Sequence, residues 1–394
     1  MHVYIRFKKR SAKELLYCLF LILCFIPFLF PNPIVRTNVQ PYASIVAVVI
    51  LLLHSGSLLD TTVGKRVAAI LSVTFFIAVI ILVAGGISMD GIRGVYNYFA
   101  LFVVPCAAII VFSDLPDFPE GLCKTMIVIW FLVASVQFFF NRGFATQLIG
   151  AVRWSYRYRG VVGLASEPSF LGIASFYFAH VIRRFRTHRL LFYVISLITG
   201  VLYAQSATGV MFIAGFYAVL LLDIINSKKG LYIWIASLFA LIWFGYFLST
   251  SLADSRLNQM IDAFFNGGVD SVLSDGSASV RFNAIGRALR TAAGNRFMPN
   301  GFGARVGSAY GGLLVELGIF AVPAILLISY SLSLTFDKVR SRVAYFIVVT
   351  LLLLNNTQIG NPLLLMVVGL NLYCLANEKR ARRTENDTEV YQRA

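Results

Sequence analysis

Apolar runs long enough to cross a bilayer recur along the whole chain, and that recurrence restricts the fold more than any single motif. A hydrocarbon core about 30 Å thick needs roughly 20 apolar residues per helix. Backbone inside it must satisfy its own hydrogen bonds, which leaves helices or closed barrels. Such runs lie near residues 14–31, 41–59, 67–85, 95–112, 121–140, 166–182, 190–205, 208–225, 231–249, 308–330, 343–357 and 361–376. Twelve spans predict an all-α, polytopic integral membrane protein, with one membrane domain over 1–394. Composition agrees, since 58% of residues are hydrophobic and mean hydropathy is +0.78, unlike a soluble domain. Gln205-Ser206-Ala207-Thr208-Gly209 parts two spans that otherwise read as one long helix. The last two spans are short, and one of them fits a re-entrant hairpin as well as a crossing.

Orientation follows from the flanks. The N-terminus carries Arg6, Lys8, Lys9, Arg10 and Lys13, and every second loop after it is basic, down to Lys338, Arg340 and Arg342. All nine lysines fall on this face, so the positive-inside bias puts both termini in the cytoplasm. The first span, with a long apolar stretch and Pro31-Asn32-Pro33 behind it, reads as a retained helix rather than a cleaved signal. The five cysteines lie in or at the ends of spans, where they serve as small apolar fillers and offer neither a disulfide framework nor a metal cluster. The net charge of +16 reflects the positive-inside bias and affinity for anionic membrane lipids. It does not imply nucleic acid.

Two segments then stand on the wrong side for their charge. Residues 141–165 form an external arginine-rich loop with Arg142, Arg153, Arg157 and Arg159. Residues 250–307 form a large external loop between the ninth and tenth spans, with Arg256, Arg281, Arg287, Arg290, Arg296 and Arg305. Neither holds a lysine. Arginine grips phosphate with a planar fork where lysine offers a point charge. External loops that use arginine alone therefore point to a phosphorylated ligand outside the cytoplasm.

The sharpest local constellation runs from Arg159 through Glu167-Pro168-Ser169 to Gly172. Proline suits the first helical position, so Pro168 marks the outer start of the sixth span, with Glu167 at the cap. Free N–H groups and the positive dipole end then face outward, ready for an anion or for Glu167 itself. Two readings stand: a functional carboxylate, or a simple cap with Arg159 as its ion-pair partner. In the larger loop, Ser277 reads as the N-cap of a helix running to about Ala293, with an apolar stripe of Phe282, Ile285 and Leu289. Arg281 and Arg290 flank that stripe, an arrangement suited to a phosphate above a hydrocarbon tail. Snorkelling to lipid head groups is the competing reading.

The order of these motifs resembles the bacterial O-antigen polymerases of the Wzy type and their relatives, the O-antigen ligases. Arg159 before Glu167-Pro168-Ser169 carries the resemblance first. Ser206-Ala207-Thr208-Gly209, Ser279-Val280-Arg281, Pro299-Asn300-Gly301-Phe302-Gly303 and Glu316-Leu317-Gly318 carry the rest. Arg290 and Gly301 also stand eleven positions apart, as in an Arg-x10-Gly pattern of some of these polymerases, and the 141–165 loop holds no second copy. Ligases carry a histidine late in the large loop, where this chain reads Arg305-Val306-Gly307-Ser308-Ala309-Tyr310. The resemblance therefore implies a polymerase in the bacterial inner membrane with its active site facing the periplasm.

Such an enzyme moves a growing glycan from undecaprenyl diphosphate to the non-reducing end of an incoming lipid-linked repeat unit, with a chain-length co-polymerase as partner. The resemblance implies Glu167, Arg159 and Arg281 as catalytic residues. It implies Arg157, Ser169, Arg290, Arg305 and Tyr310 as substrate-binding residues, with no cofactor and no metal. The chemistry must stabilise a departing diphosphate and orient or deprotonate an acceptor hydroxyl. A transporter or flippase of lipid-linked oligosaccharide is the main rival. It favours polar residues near the midplane of its spans, whereas polarity here is concentrated outside. A purely structural assembly protein ranks third.

Overall fold

The computed structural model describes residues 11–29, 39–149, 152, 160–224, 262, 266, 268, 276–303, 308–354 and 358–393. Among them the regular structure is all helical, apart from one isolated bridge between Leu29 and Ile149. The helices are α1 (Ala12–Phe25), α2 (Tyr42–Leu59), α3 (Thr62–Ala84), α4 (Met89–Asp114), α5 (Glu120–Phe139), α6 (Pro168–Ile182), α7 (Arg189–Leu197) and α8 (Ala207–Ile224). After them come α9 (Gly276–Gly294), α10 (Ala309–Leu317), α11 (Val322–Ser333), α12 (Val339–Leu353) and α13 (Pro362–Arg393). Among the described residues five stretches are long and apolar enough to cross a membrane: Tyr42–Leu59, Thr62–Ala84, Met89–Asp114, Glu120–Phe139 and Ala309–Ser333. The expected spans correspond to these and to shorter helices, except 231–249, which lies outside the described residues.

Packing separates a central helix from a rim. The span of α4 is 72% buried and that of α3 only 22%, with Phe76, Ile80 and Val83 exposed on α3. Apolar side chains directed outward suit lipid, whose tails cost them nothing. On α4, the turn around Pro105 meets α13 closely. A Cβ on Gly369 would fall 2.5 Å from the Ala108 Cβ and 2.6 Å from the Pro105 carbonyl oxygen, so glycine sets that approach. The first helix is shorter than its apolar run. It stops at Phe25, two residues before Pro27, because the residue preceding a proline is pushed out of helical geometry. Buried Gln40 splices its end to α2, donating to the Leu23 carbonyl at 2.8 Å and accepting from the Ala43 N–H at 3.0 Å.

One end of the bundle carries ion pairs: Lys13–Asp114 at 2.6 Å, Lys124–Glu120 at 2.6 Å, Arg183–Asp223 at 3.0 Å and Arg183–Asp337 at 3.1 Å. Arg186, after α6, joins the acidic loop Asp114–Glu120, reaching Asp117 at 3.3 Å and donating its backbone N–H to Glu120 at 2.9 Å. This is the lysine end. Glu167 and the start of α6 lie at the opposite end.

The largest departure from the hydropathy reading lies at 309–333. By composition this stretch is one 25-residue span, yet the Tyr310 hydroxyl sits 2.8 Å from the Ser329 Oγ. Side-chain reach limits their Cα atoms to about 12 Å, whereas nineteen residues of continuous helix rise about 28 Å. The two halves therefore fold back as a V. At the elbow Gly318 adopts φ +60 and ψ −138, backbone that L side chains rarely enter. A Cβ there would also meet the Phe297 carbonyl oxygen at 2.2 Å. A 3₁₀ turn, Gly318–Ala321, and Pro323 in the first turn of α11 complete the reversal.

Candidate functional site

The loop before α6 is fixed from below by a side-chain amide. Gln137 on α5 is buried; its Nε2 donates to the Gly163 carbonyl at 2.9 Å and its Oε1 accepts from the Gly163 N–H at 2.7 Å. The amide copies a backbone partner, and Gly163 answers with φ +60. A third bond joins Gln137 to the Phe144 carbonyl at 2.8 Å. On the other side the Val161 N–H donates to the Tyr203 carbonyl at 2.8 Å. Gly160 lies so close that a Cβ would fall 2.3 Å from the carbonyl oxygens of Tyr203 and Ala204. Tyr203 ends a π-helical turn, Ile198–Tyr203, that continues α7. Such wide turns re-aim the following backbone and cluster at functional sites.

Glu167 leaves this loop fully extended, with φ −156 and ψ 158, and Pro168 opens the helix as the sequence requires. Its carbonyl accepts from the Phe170 N–H at 3.0 Å. Its carboxylate caps no backbone N–H and instead accepts the Ser169 hydroxyl at 2.9 Å. Ser169 is buried while Glu167 stays half-buried, so a sheltered hydroxyl holds a carboxylate that solvent or a ligand still reaches.

A second helix start lies beside the first. Gly172 on α6 and Gly209 on α8 touch backbone to backbone: a Cβ on Gly172 would fall 2.5 Å from the Gly209 Cα. At their far ends Arg183 and Asp223 pair at 3.0 Å. Contacts at both ends make α6 and α8 parallel, so both N-termini and both positive dipole ends face the same way. Buried Ser206 and Thr208 flank the start of α8, just after Gln205 at φ +42. The Glu167 and Ser206–Gly209 motifs are thus two halves of one structure, 37 residues apart in sequence by Gly172 and Gly209 (209 − 172). Paired helix starts favour an anion, and the carboxylate at their edge offers a proton acceptor.

The remaining expected site residues fall into three groups. Tyr310 is buried with its hydroxyl on Ser329. Arg290 stands exposed on α9. Arg157, Arg159, Arg305 and the side chain of Arg281 lie outside the described residues. The helix carrying Arg281 and Arg290 begins one residue before Ser277, close to expectation. Its buried stripe differs: Ala284, Ala288 and Ala292 are covered, while Leu289 is 44% exposed and Ile285 only half-buried. The reason is the V. A Cβ on Gly311 of α10 would come within 2.9 Å of the Ala288 Cβ, and only small residues allow helices so close. Hydropathy favoured the larger side chains, which this packing turns away.

Two structural contributors had little sequence signal. Gln137 reads as one polar residue in an apolar run, and a buried glutamine of that kind was the available hint. Tyr98 on α4 donates to Glu316 at 2.5 Å, across 218 positions of sequence, and no local pattern announces such a pair. Pro299-Asn300-Gly301 pairs with the same helix end: the Asn300 N–H donates to the Val315 carbonyl at 3.0 Å, and the Gly301 N–H to the Glu316 carbonyl at 3.3 Å. No known protein-family model matches this chain, and no curated protein matches it.

Proposed function

We propose that this chain is a surface-polysaccharide polymerase of the O-antigen type, working at the outer face of a bacterial inner membrane with both termini in the cytoplasm. The observation that carries the reading is Glu167, a carboxylate held by Ser169 on the paired N-termini of two parallel helices. The acceptor hydroxyl oxygen attacks the anomeric carbon of the growing chain, and the bond from that carbon to undecaprenyl diphosphate breaks. The hydroxyl proton passes to Glu167, and the departing diphosphate keeps the electron pair. Helix N-termini stabilise that developing charge. Arg159 and Arg281 add planar forks to it, and Arg157, Arg290 and Arg305 hold the lipid-linked diphosphate. Ser169 orients Glu167. The loop 250–307 then serves as the periplasmic cover, and a chain-length co-polymerase is the protein partner.

Glu167→Gln tests this. Glutamine keeps size and hydrogen bonding but accepts no proton, so activity should fall about 10²–10⁴-fold. Cells should carry single-unit antigen at normal protein abundance. Full ladders from a well-expressed variant would remove the catalytic role.

One observation favours a second reading. The broken helix at 309–333 is the kind of element that builds substrate sites in transporters. A flippase for lipid-linked oligosaccharide predicts complete loss of attached antigen on deletion, whereas a polymerase leaves one repeat unit in place.

A further inference from the structure

The turn between α7 and α8 carries a side chain that the reaction above does not use. Gln205 follows the π-helical turn Ile198–Tyr203; its N–H donates to the Val201 carbonyl at 3.1 Å, and its φ is +42. A left-handed residue just past a helix is ordinarily glycine, because a Cβ there crowds the following carbonyl. Five described residues other than glycine have positive φ, and Gln205 is the one among them with a polar, buried side chain. It is 8% exposed, and among the described residues its amide has no hydrogen-bond partner. Backbone strain of this kind persists only where the surroundings enforce it, and it gathers at ligand clamps. A glycine would relieve the strain, so the side chain is what the position retains.

Backbone contacts set Gln205 beside Glu167. The Val161 N–H donates to the Tyr203 carbonyl at 2.8 Å, and a Cβ on Gly160 would fall 2.3 Å from the Ala204 carbonyl oxygen. The chain entering Gln205 therefore lies against the loop that leads to Glu167. Gly172 and Gly209 then meet backbone to backbone. Glu167 precedes Gly172 by five residues and Gln205 precedes Gly209 by four. At about 1.5 Å per residue these are about 7 Å and about 6 Å outward along parallel helices, so both residues stand at one level on neighbouring helix starts. A carboxamide offers two donors and an acceptor oxygen, whereas diphosphate oxygens only accept and would leave that oxygen unpaired. Sugar hydroxyls both donate and accept. We propose that Gln205 is a specificity-determining residue that holds hydroxyls of the acceptor sugar, the ring whose hydroxyl gives its proton to Glu167. The assignment to an acceptor rests on the polymerase reading, while the strained backbone, the unbonded amide and the level of Gln205 do not.

The test uses the full chain in lipid nanodiscs. Its probes are the phosphate-free repeat-unit oligosaccharide of the host's own surface glycan and, separately, inorganic pyrophosphate. Wild-type protein should bind the oligosaccharide, and binding should survive borohydride reduction of its reducing-end sugar to an alditol. Gln205→Gly removes the amide and suits φ +42. Its melting temperature should not fall, yet oligosaccharide affinity should drop about three- to tenfold with pyrophosphate affinity unchanged. Gln205→Met keeps the length and the left-handed backbone and loses only the amide, so it should lose the same affinity. No oligosaccharide bound by wild-type protein, unchanged affinity in either variant, or loss of pyrophosphate binding in place of oligosaccharide binding overturns the proposal. Loss of binding on reduction would move the contact to the ring beside the diphosphate and overturn the acceptor assignment. If the variants lose affinity as expected but deletion of the chain leaves antigen ladders intact, the polymerase reading fails and the sugar contact stands.

Discussion

Gln137→Leu is the most direct perturbation of the loop that presents Glu167. Leucine matches the volume and removes three hydrogen bonds, two of them fully buried, at 2.7 and 2.9 Å to the Gly163 N–H and carbonyl. The third, to the Phe144 carbonyl at 2.8 Å, is only part-buried, and water replaces it. Each buried backbone group left unsatisfied costs about 1–3 kcal/mol, so two cost about 2–6 kcal/mol. The loss falls on residues 160–167 rather than on the whole bundle, because α5 keeps its own helical bonds and Trp130 its bond to the Phe25 carbonyl at 2.9 Å. At 1.4 kcal/mol per factor of ten, local opening should rise between about 30-fold and about 10⁴-fold. Amide hydrogen exchange at the Val161, Gly163 and Ala165 N–H groups reads this directly, since all three donate in the folded loop. Gln137→Glu keeps an acceptor for the Gly163 N–H and should fall between wild type and leucine. Exchange in the leucine variant within twofold (about 0.4 kcal/mol) of wild type would refute the clamp.

Other outcomes follow from the same contacts. Spin labels at positions 310 and 329 should report Cα atoms within about 12 Å, and a separation near 28 Å would restore a straight helix across 309–333. Gly209→Val places a side chain against the Gly172 Cα, 2.8 Å from the new Cβ, and overpacking should cost about 1–3 kcal/mol, read as a lower melting temperature. Arg183→Met leaves Asp223, only 7% exposed, without its guanidinium; breaking such a pair costs about 3–5 kcal/mol, and Asp223→Asn in the same protein should recover part of it. Lysine at Arg159, Arg281 or Arg305 should fail to restore antigen ladders if these side chains grip diphosphate as forks, and full ladders in all three would assign them to lipid head groups.

The sequence by itself determined much of this protein, and the reasons are local. Helix existence follows from runs of apolar residues that must satisfy their own backbone, so eleven expected spans meet described helices. Pro168 fixed the start of α6 to the residue because its missing N–H is free only there. Lysine spacing grouped the basic loops, and the described ion pairs gather at that end, apart from Arg93–Asp90 at the start of α4. Tertiary structure alone decided the rest. Hydropathy measures how many apolar residues follow one another but not their direction, so one 25-residue run concealed a reversal that depends on Gly318 meeting the Phe297 carbonyl. Amphipathic pattern ranks large side chains as the buried face, yet the close approach of α10 selected Ala284, Ala288 and Ala292 on α9. The parallel pairing of α6 with α8 and the bond between Tyr98 and Glu316 join residues far apart in the chain, and only packing brings such residues together.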